Sequence, residues 1–448
     1  MAQTALLARQ GDVVRVGFGR PAAAPTATPA AGDTLARWLR AQAINGGRAA
    51  LLIRPFRKHE FGSSAAAPSP AHLLAANALM ARLRRLVVDT AVRQRRASEA
   101  AIRRPAWPAL AQATRVKDEV ATAVAATEKV WQFYWDMFNQ RQSVLADRLL
   151  AADRVALDCY QYTYGGLGTA RSIPTPAPLA YMESGLGPAT FRRGVLLTRL
   201  GRLPNPFPLV KLPYHRLVCP WTLGAIPHEV AHNLQSDLGL WMAVPKVIYR
   251  KLRKAGIEPS VAKIWMRWHK ETFADLLGVL LIGPSFIGSL MDVVAKAPER
   301  VAFFHPKAVH PTPFLRVLIN AHLLDRIGFP AEARAYREAW LRLYPPARLT
   351  GLPAPLWRSF PRACRLAVEA IAFTPYPQLG GKRLAEVVAF RPQDERVASE
   401  AAGRLARGRD PGIVPERFLI AAARIALDRR LAPPDTIARH FYEALGRR

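Results

Sequence analysis

The chain has 448 residues, of which 50% are hydrophobic and 22% are charged, and its formal net charge is +31. This length exceeds what one compact core usually holds, and the composition excludes a wholly disordered protein, so we expect two or three domains. The positive charge is spread along the chain, which disfavours a dedicated nucleic-acid-binding tail and predicts only weak affinity for polyanions.

The first part of the chain, residues 1–70, is predicted to be variable and partly disordered. Its segment 21–33 is rich in Pro and Ala and reads as a disordered linker, and 62–70 reads as a loop. Residues 71–164 are predicted to form a helical region, because apolar residues recur at helical spacing over 71–96 and over 116–160.

The sequence changes in character near residue 165, where Gly and Pro become frequent. Short apolar runs predict strands at 179–182, 194–198 and 208–212. Helices are predicted from 224 to before 239 and over 259–282. We expect one domain over 165–330, a C-terminal helical domain over 331–448, and an α+β fold that is mostly helical with a small sheet.

Cysteine usage and the absence of long apolar segments indicate a cytoplasmic protein. Residues 1–20 contain Asp12 and no long apolar core, so they do not read as a secretory signal. The apolar stretch 276–291 contains Pro284 and is shorter than a membrane span of about 20 residues, so it predicts a buried helix and no integral membrane span. Three cysteines are scattered without CxxC spacing, which disfavours a disulfide framework: Cys159, Cys219 and Cys364.

The first candidate motif is HExxH, formed by His228, Glu229 and His232. On a helix the two histidines are one turn apart and share a face, so both imidazoles can bind one zinc ion. Glu229 then lies beside the metal without binding it, where it can take a proton from a zinc-bound water and deliver it to a leaving amine. The alternative is two ordinary histidines on a helix face.

The second candidate is a helical segment in which Glu271 and Asp275 are one turn apart on the same face. Two carboxylates inside an apolar helix are costly to bury unpaired, and a metal supplies a partner. We expect Glu271 as the third zinc ligand and Asp275 as the acceptor for the remaining ring N–H of a zinc-bound histidine. The alternative is a solvent-facing acidic pair near Lys270.

The third candidate is a Pro-rich turn that opens a helix and carries His310 and Arg316. Either side chain could stabilise the oxyanion of a tetrahedral intermediate or anchor a carboxylate. Helix capping and a surface salt bridge are the alternative.

These three segments, in this order, resemble the gluzincin metallopeptidases, and most of all the family of heat-shock membrane endopeptidases and CAAX prenyl endopeptidases. That family shows HExxH, then a Glu-x-x-Ala-Asp helix, then a His-Pro turn with Arg six residues after the His. The resemblance covers residues 230 to 320 approximately. It implies a zincin-like catalytic core within 165–330, zinc bound by His228, His232 and Glu271, and Glu229 as the base.

Two features of the sequence depart from the family's pattern. The family's membrane-spanning helices are missing. Pro227 precedes His228, so the helix is expected to start only at Ala225 or Ile226.

Zincins bind substrate as an extra strand along a sheet edge. The run 206–213 could supply a strand, and its prolines suit an edge.

The leading expectation is a soluble zinc metallopeptidase that hydrolyses a peptide or protein substrate. The alternative is a non-catalytic or regulatory protein on a zincin scaffold, which would bind protein or nucleic acid through its basic surface. The densest basic cluster, Arg250, Lys251, Arg253 and Lys254, is predicted to be a solvated helix end with general affinity for polyanions. The alternative for this cluster is a dedicated nucleic-acid or anionic-membrane site.

Overall fold

The computed structural model describes residues 31–168, 172–197 and 203–448. These residues are mostly helical and include a small sheet, which confirms the predicted α+β class. They form two compact units, one of residues 31–48 and 89–121 and one of residues 49–88 and 122–448. The division into four regions remains a prediction.

The helices of the described residues range from single turns to helices of 34 residues. In chain order they are α1 (Ala31–Leu52), α2 (Pro70–Arg103), α3 (Trp107–Asn139), α4 (Ala146–Leu167), α5 (Tyr214–Leu217), α6 (Ala225–Asp237), α7 (Ala243–Lys254), α8 (Pro259–Ile282), α9 (Pro284–Val294), α10 (Pro298–Val301), α11 (Pro313–Arg326), α12 (Pro330–Leu343), α13 (Ala354–Ala372), α14 (Leu384–Val387), α15 (Pro392–Ala406), α16 (Glu416–Asp428) and α17 (Pro434–Gly446).

The strands all lie in the Gly- and Pro-rich stretch of the larger unit. They are β1 (Leu179–Met182), β2 (Ala189–Phe191), β3 (Leu196–Leu197), β4 (Leu203–Pro204) and β5 (Leu209–Leu212). One sheet has the order β1-β5-β2, with β5 parallel to β1 and antiparallel to β2. A second sheet pairs β3 with β4.

The prediction that the run 206–213 forms an edge strand is wrong, because β5 is the central strand of its sheet. Pro206, Pro208 and Pro213 lie outside the paired residues Leu209–Leu212, so no ladder hydrogen bond is lost to a proline. Pro208 still contributes as an acceptor, since its carbonyl receives the Leu179 N–H at 3.0 Å.

The helix predicted over 116–160 is interrupted by a single 3-10 turn at Gln140–Gln142 between α3 and α4. The Gln140 side chain donates to the carbonyl of Met182 and accepts from its N–H, both at 2.8 Å. The Ser143 hydroxyl donates to the Gln140 carbonyl at 2.8 Å and so competes with helix continuation. The break therefore anchors the chain to the end of β1, a long-range contact that helical spacing cannot reveal.

Three predictions reach beyond the described residues. The secretory-signal prediction concerns residues 1–20, and most of the predicted linker, 21–30, also lies outside them. The linker prediction is wrong for residues 31–33, which form the start of α1. Of the strand predicted at 194–198, Leu196 and Leu197 form β3, and Thr198 lies outside the described residues.

The core around the candidate motifs is built on α8, which packs against α6, α9 and α11, and α9 also packs against α11. The apolar stretch 276–291 forms the end of α8 and the start of α9, and it is buried except for Met291, which is only half-buried. Gly283 separates the two helices with φ of +61°, and an added Cβ there would lie 2.2 Å from the Phe390 ring. No helix in the described ranges is long and apolar enough to cross a membrane.

Candidate metal centre

Helix α6 begins at Ala225, one of the two positions that Pro227 leaves open. Pro227 is the third residue of the helix, where a backbone N–H has no partner within the helix, so the missing donor costs little. The imidazole centroids of His228 and His232 lie 4.8 Å apart on one face of the helix. Both rings therefore point to the same side, towards α8.

Glu271 of α8 lies between these two imidazoles. Its Oε2 is 3.4 Å from Nε2 of His228, and its Oε1 is 3.5 Å from Nε2 of His232. One ligand atom from each of the three residues can be chosen so that all lie within 4.8 Å of one another. Zinc bonds of about 2.0–2.1 Å in a tetrahedron separate ligand atoms by roughly 3.3–3.4 Å, so the donor set and its spacing fit zinc.

Asp275, one turn beyond Glu271 on α8, contacts the other ring nitrogen of His228. Its Oδ1 lies 2.9 Å from Nδ1 of His228. Arg316 of α11 donates from Nε to Oδ2 at 2.8 Å and from its terminal nitrogen to Oδ1 at 2.7 Å. Asp275 thus meets His228, a choice between the two histidines that the sequence left open. Arg316 also lies near Glu271, with 3.9 Å between its terminal nitrogen and Oε2.

The pKa values of the two histidines in this buried cluster shift in opposite directions. Burial lowers the pKa of His228, but contacts with Asp275 and Glu271 outweigh it and raise that pKa to about 10. Burial and the neighbouring His228 lower the pKa of His232 to about 3. Although burial opposes it, the contact with His228 holds the pKa of Glu271 well below its usual range. The carboxylates thus attract one positive charge into the cluster, which is what a metal cation would supply.

Glu229 differs from the other acidic groups of the site because its carboxylate has no direct partner among the described residues. Its side chain has no hydrogen bond or ion pair with any described residue, although the residue is only 6% exposed. Burial raises its pKa to about 7, while His228 acts in the opposite direction. A carboxylate with this pKa can both accept and release a proton near neutral pH.

His310 reaches the same cluster from the turn before α11. Its Nε2 is 3.4 Å from Oε1 of Glu271, and 62% of its side chain remains exposed. Partial desolvation of the ring lowers its pKa, although Glu271 opposes this shift. His310 is therefore a neutral donor or acceptor at the mouth of the site, and Arg316 is a buried cation behind it.

A cavity of about 380 Å³ opens over the cluster and is lined by all of the sequence-predicted site residues except Asp275. The sequence did not predict three of its other lining residues: Arg192, Trp241 and Lys270. It also missed Asn233 of α6, whose side chain donates to the Thr190 hydroxyl at 2.7 Å and so ties the helix to β2. These contacts join distant segments, and no spacing within one element signals them.

Comparisons with protein-family models, with curated proteins and with solved structures find no match to this chain.

Proposed function

We propose that this chain is a zinc-dependent peptidase with a zincin-like catalytic core. The observation that carries the proposal is the convergence of His228, His232 and Glu271 from two helices, with ligand atoms within 4.8 Å. Glu229 directly follows His228 in sequence and lines the same cavity as the three residues. That arrangement combines three metal ligands with a proton acceptor, which metal-assisted hydrolysis requires.

Zinc at this position would lower the pKa of a water molecule and polarise the peptide carbonyl. Glu229 accepts the proton of the attacking water and later delivers it to the departing amine nitrogen. His310 is neutral and exposed at the cavity mouth, and its ring N–H donates to the carbonyl oxygen as negative charge develops there. The expected gain from such proton transfer is about 10²–10⁴-fold in rate.

Asp275 and Arg316 act through His228. Asp275 receives the Nδ1 side of that ring, which leaves Nε2 directed towards Glu271. Two nitrogens of Arg316 hold both oxygens of Asp275, and one of them also lies 3.9 Å from Oε2 of Glu271, so the guanidinium fixes both carboxylates next to His228. We therefore assign Arg316 a positioning role in place of the oxyanion role considered from sequence.

The substrate chain is proposed to lie along β2. This strand is the last of its sheet, and Ala189 and Thr190 line the cavity. Extended peptides commonly add to the edge of a sheet through main-chain hydrogen bonds. The Asn233–Thr190 hydrogen bond keeps this edge next to the helix that carries the histidines.

The alternative function, a regulatory protein on the same scaffold, depends on the basic surface. Its densest cluster, Arg250 to Lys254, lies at the end of α7. Under that alternative the protein needs neither a base nor a water, so a change at Glu229 would be harmless. The cytoplasmic location remains a prediction under both.

The test is hydrolysis of a quenched-fluorescent peptide library and of an unfolded protein by the zinc-loaded chain. Glu229→Gln should keep zinc and lose at least about 10²-fold in rate, because only proton transfer is removed. Glu338 is exposed in α12 and supplies the matched control, Glu338→Gln, which should retain full activity. Hydrolysis unaffected by Glu229→Gln would contradict the proposal.

A further inference from the structure

One side of the cavity carries two cations on a single indole ring. The guanidinium carbon of Arg192 lies 3.6 Å from the centroid of the Trp241 ring, and Nζ of Lys270 lies 4.5 Å from it. All three residues line the cavity and are half-buried. We call Arg192, Trp241 and Lys270 the basic wall.

The two cations of the basic wall have no carboxylate partner within 4.0 Å in the part of the chain that the structure describes. The only hydrogen bond of the Arg192 side chain there goes to a neutral group, the Ser236 hydroxyl, at 3.0 Å. The carboxylates that interact electrostatically with these cations are Asp237 for Arg192 and Glu271 for Lys270. Asp237 accepts a hydrogen bond from the Tyr160 hydroxyl at 3.0 Å, and Glu271 is held by the histidines.

Holding two like charges together and partly out of water is unfavourable unless something compensates. The indole supplies part of the compensation through its electron-rich face. Burial lowers the pKa of Arg192. An anion in the cavity would supply the rest.

The position of the basic wall connects it with the proposed reaction. Lys270 directly precedes Glu271 on α8, and Arg192 directly follows β2, along which the substrate is proposed to lie. The cavity lining also includes the apolar residues Phe286, Leu290 and Val293 of α9. A peptide in the cavity therefore meets both cations and hydrocarbon.

We infer that the basic wall binds a carboxylate of the peptide substrate, from an acidic side chain near the cleaved bond or from the chain end. This inference rests on the proposed peptidase function and adds a preference among its substrates. Arg192 and Lys270 both present N–H donors to the carboxylate, and charge-assisted hydrogen bonds of this kind are the strong ones.

The experiment measures binding of short fluorescent peptides to the full chain carrying Glu229→Gln, so that the probe is not cleaved. Each peptide carries one Glu near its middle and is compared with a twin that has Gln at that position. Both peptides of each pair are made in two forms, one with a free C-terminus and one with an amidated C-terminus. We expect a carboxylate to tighten binding roughly tenfold. The Glu–Gln arm and the acid–amide arm identify which carboxylate is recognised.

The variants separate a local site from the general attraction of a chain with net charge +31. In the arm that shows the preference, Glu against Gln or acid against amide, Arg192→Gln and Lys270→Gln should each bring the affinity ratio close to one. Arg192→Lys should retain most of the preference. Arg250→Gln changes the net charge equally at an exposed position of α7 and should leave the ratio unchanged. The same ratio in all four variants, or no preference in the parent chain, would overturn the inference.

Cleavage of the same peptides by the zinc-loaded chain with Glu229 intact distinguishes the two proposals. Equal cleavage of both twins, in both C-terminal forms, would remove the basic wall as a specificity site and leave the peptidase function standing. An Arg192-dependent binding preference without any cleavage would leave the anion site standing and reject the peptidase function.

Discussion

Two buried aspartate–arginine pairs in this protein have similar hydrogen-bond distances but different surroundings. Asp275 of α8 receives two donors of Arg316 at 2.7 and 2.8 Å. Asp158 of α4 receives the Arg417 guanidinium at 2.9 and 3.0 Å and the Arg417 backbone N–H at 3.0 Å. Each pair joins two helices, and each is almost completely excluded from solvent.

The difference lies in what else each aspartate touches. Asp275 also meets His228 at 2.9 Å, and through it the cluster of Glu271 and His232 under the cavity. Asp158 has no histidine partner among the described residues, and its arginine lies over the Tyr162 ring at 3.7 Å. Neither Asp158 nor Arg417 lines the cavity.

This contrast shows that a buried ion pair is not by itself evidence of a functional site. Both pairs satisfy the need of a buried charge for a partner. Only the Asp275 pair also orients a histidine that faces a second carboxylate, and only there is an unpaired acid, Glu229, present beside it. The following variants test whether that difference is functional, in order of their expected effect on zinc affinity.

The largest effect is expected from removal of a proposed ligand. Glu271→Ala should reduce zinc in the purified protein from about one ion per chain to almost none, because a catalytic zinc site needs three protein ligands. His232→Ala should do the same. Elemental analysis measures the metal, and circular dichroism checks that the helices persist. Full zinc content in a folded Glu271→Ala protein would contradict the assignment.

A smaller effect is expected at Asp275, which orients a ligand without binding the metal. Asp275→Asn keeps the shape of the side chain and removes its charge, so zinc affinity should fall by roughly 10–100-fold without being abolished. Competition with a chromophoric chelator measures the ratio. Superimposable titration curves for the two proteins would mean that the His228 contact has no role in metal binding.

The smallest effect on zinc is expected at the other pair. Asp158→Asn should leave the zinc affinity unchanged, since Asp158 has no contact with the metal cluster among the described residues. Its free energy of unfolding should nevertheless fall by about 3–5 kcal/mol, because Arg417 is left buried without its counter-charge. Denaturant unfolding and chelator competition on the same sample separate the two effects. A loss of zinc affinity equal to that of Asp275→Asn would remove the distinction drawn between the pairs.

Local spacing predicted much of what positions this site. The helix over 259–282 and the strand over 179–182 occur with those bounds, and the helix carrying His228 begins where Pro227 permits. Each of these features depends on neighbours within one element, where periodicity and proline are informative. The one-turn separations of His228 from His232 and of Glu271 from Asp275 are of the same kind.

Features that depend on contacts between distant segments were not predictable. The central position of β5, the break after α3 and the choice of His228 as the partner of Asp275 all depend on packing across the chain. The basic wall combines Arg192 at the end of β2, Trp241 in the segment after α6, and Lys270 within α8. No short window of sequence contains all three. Arg316 was singled out by sequence, but its commitment to Asp275 required the packing of α11 on α8.

The most direct test of the central claim is zinc X-ray absorption on the reconstituted full chain. We predict two imidazole ligands and oxygen donors, with bonds of about 2.0–2.1 Å, from His228, His232 and Glu271. The Glu271→Ala protein should lose this signal. A spectrum with sulfur at about 2.3 Å or with fewer than two imidazoles, or a folded chain that takes up no zinc, would contradict the account.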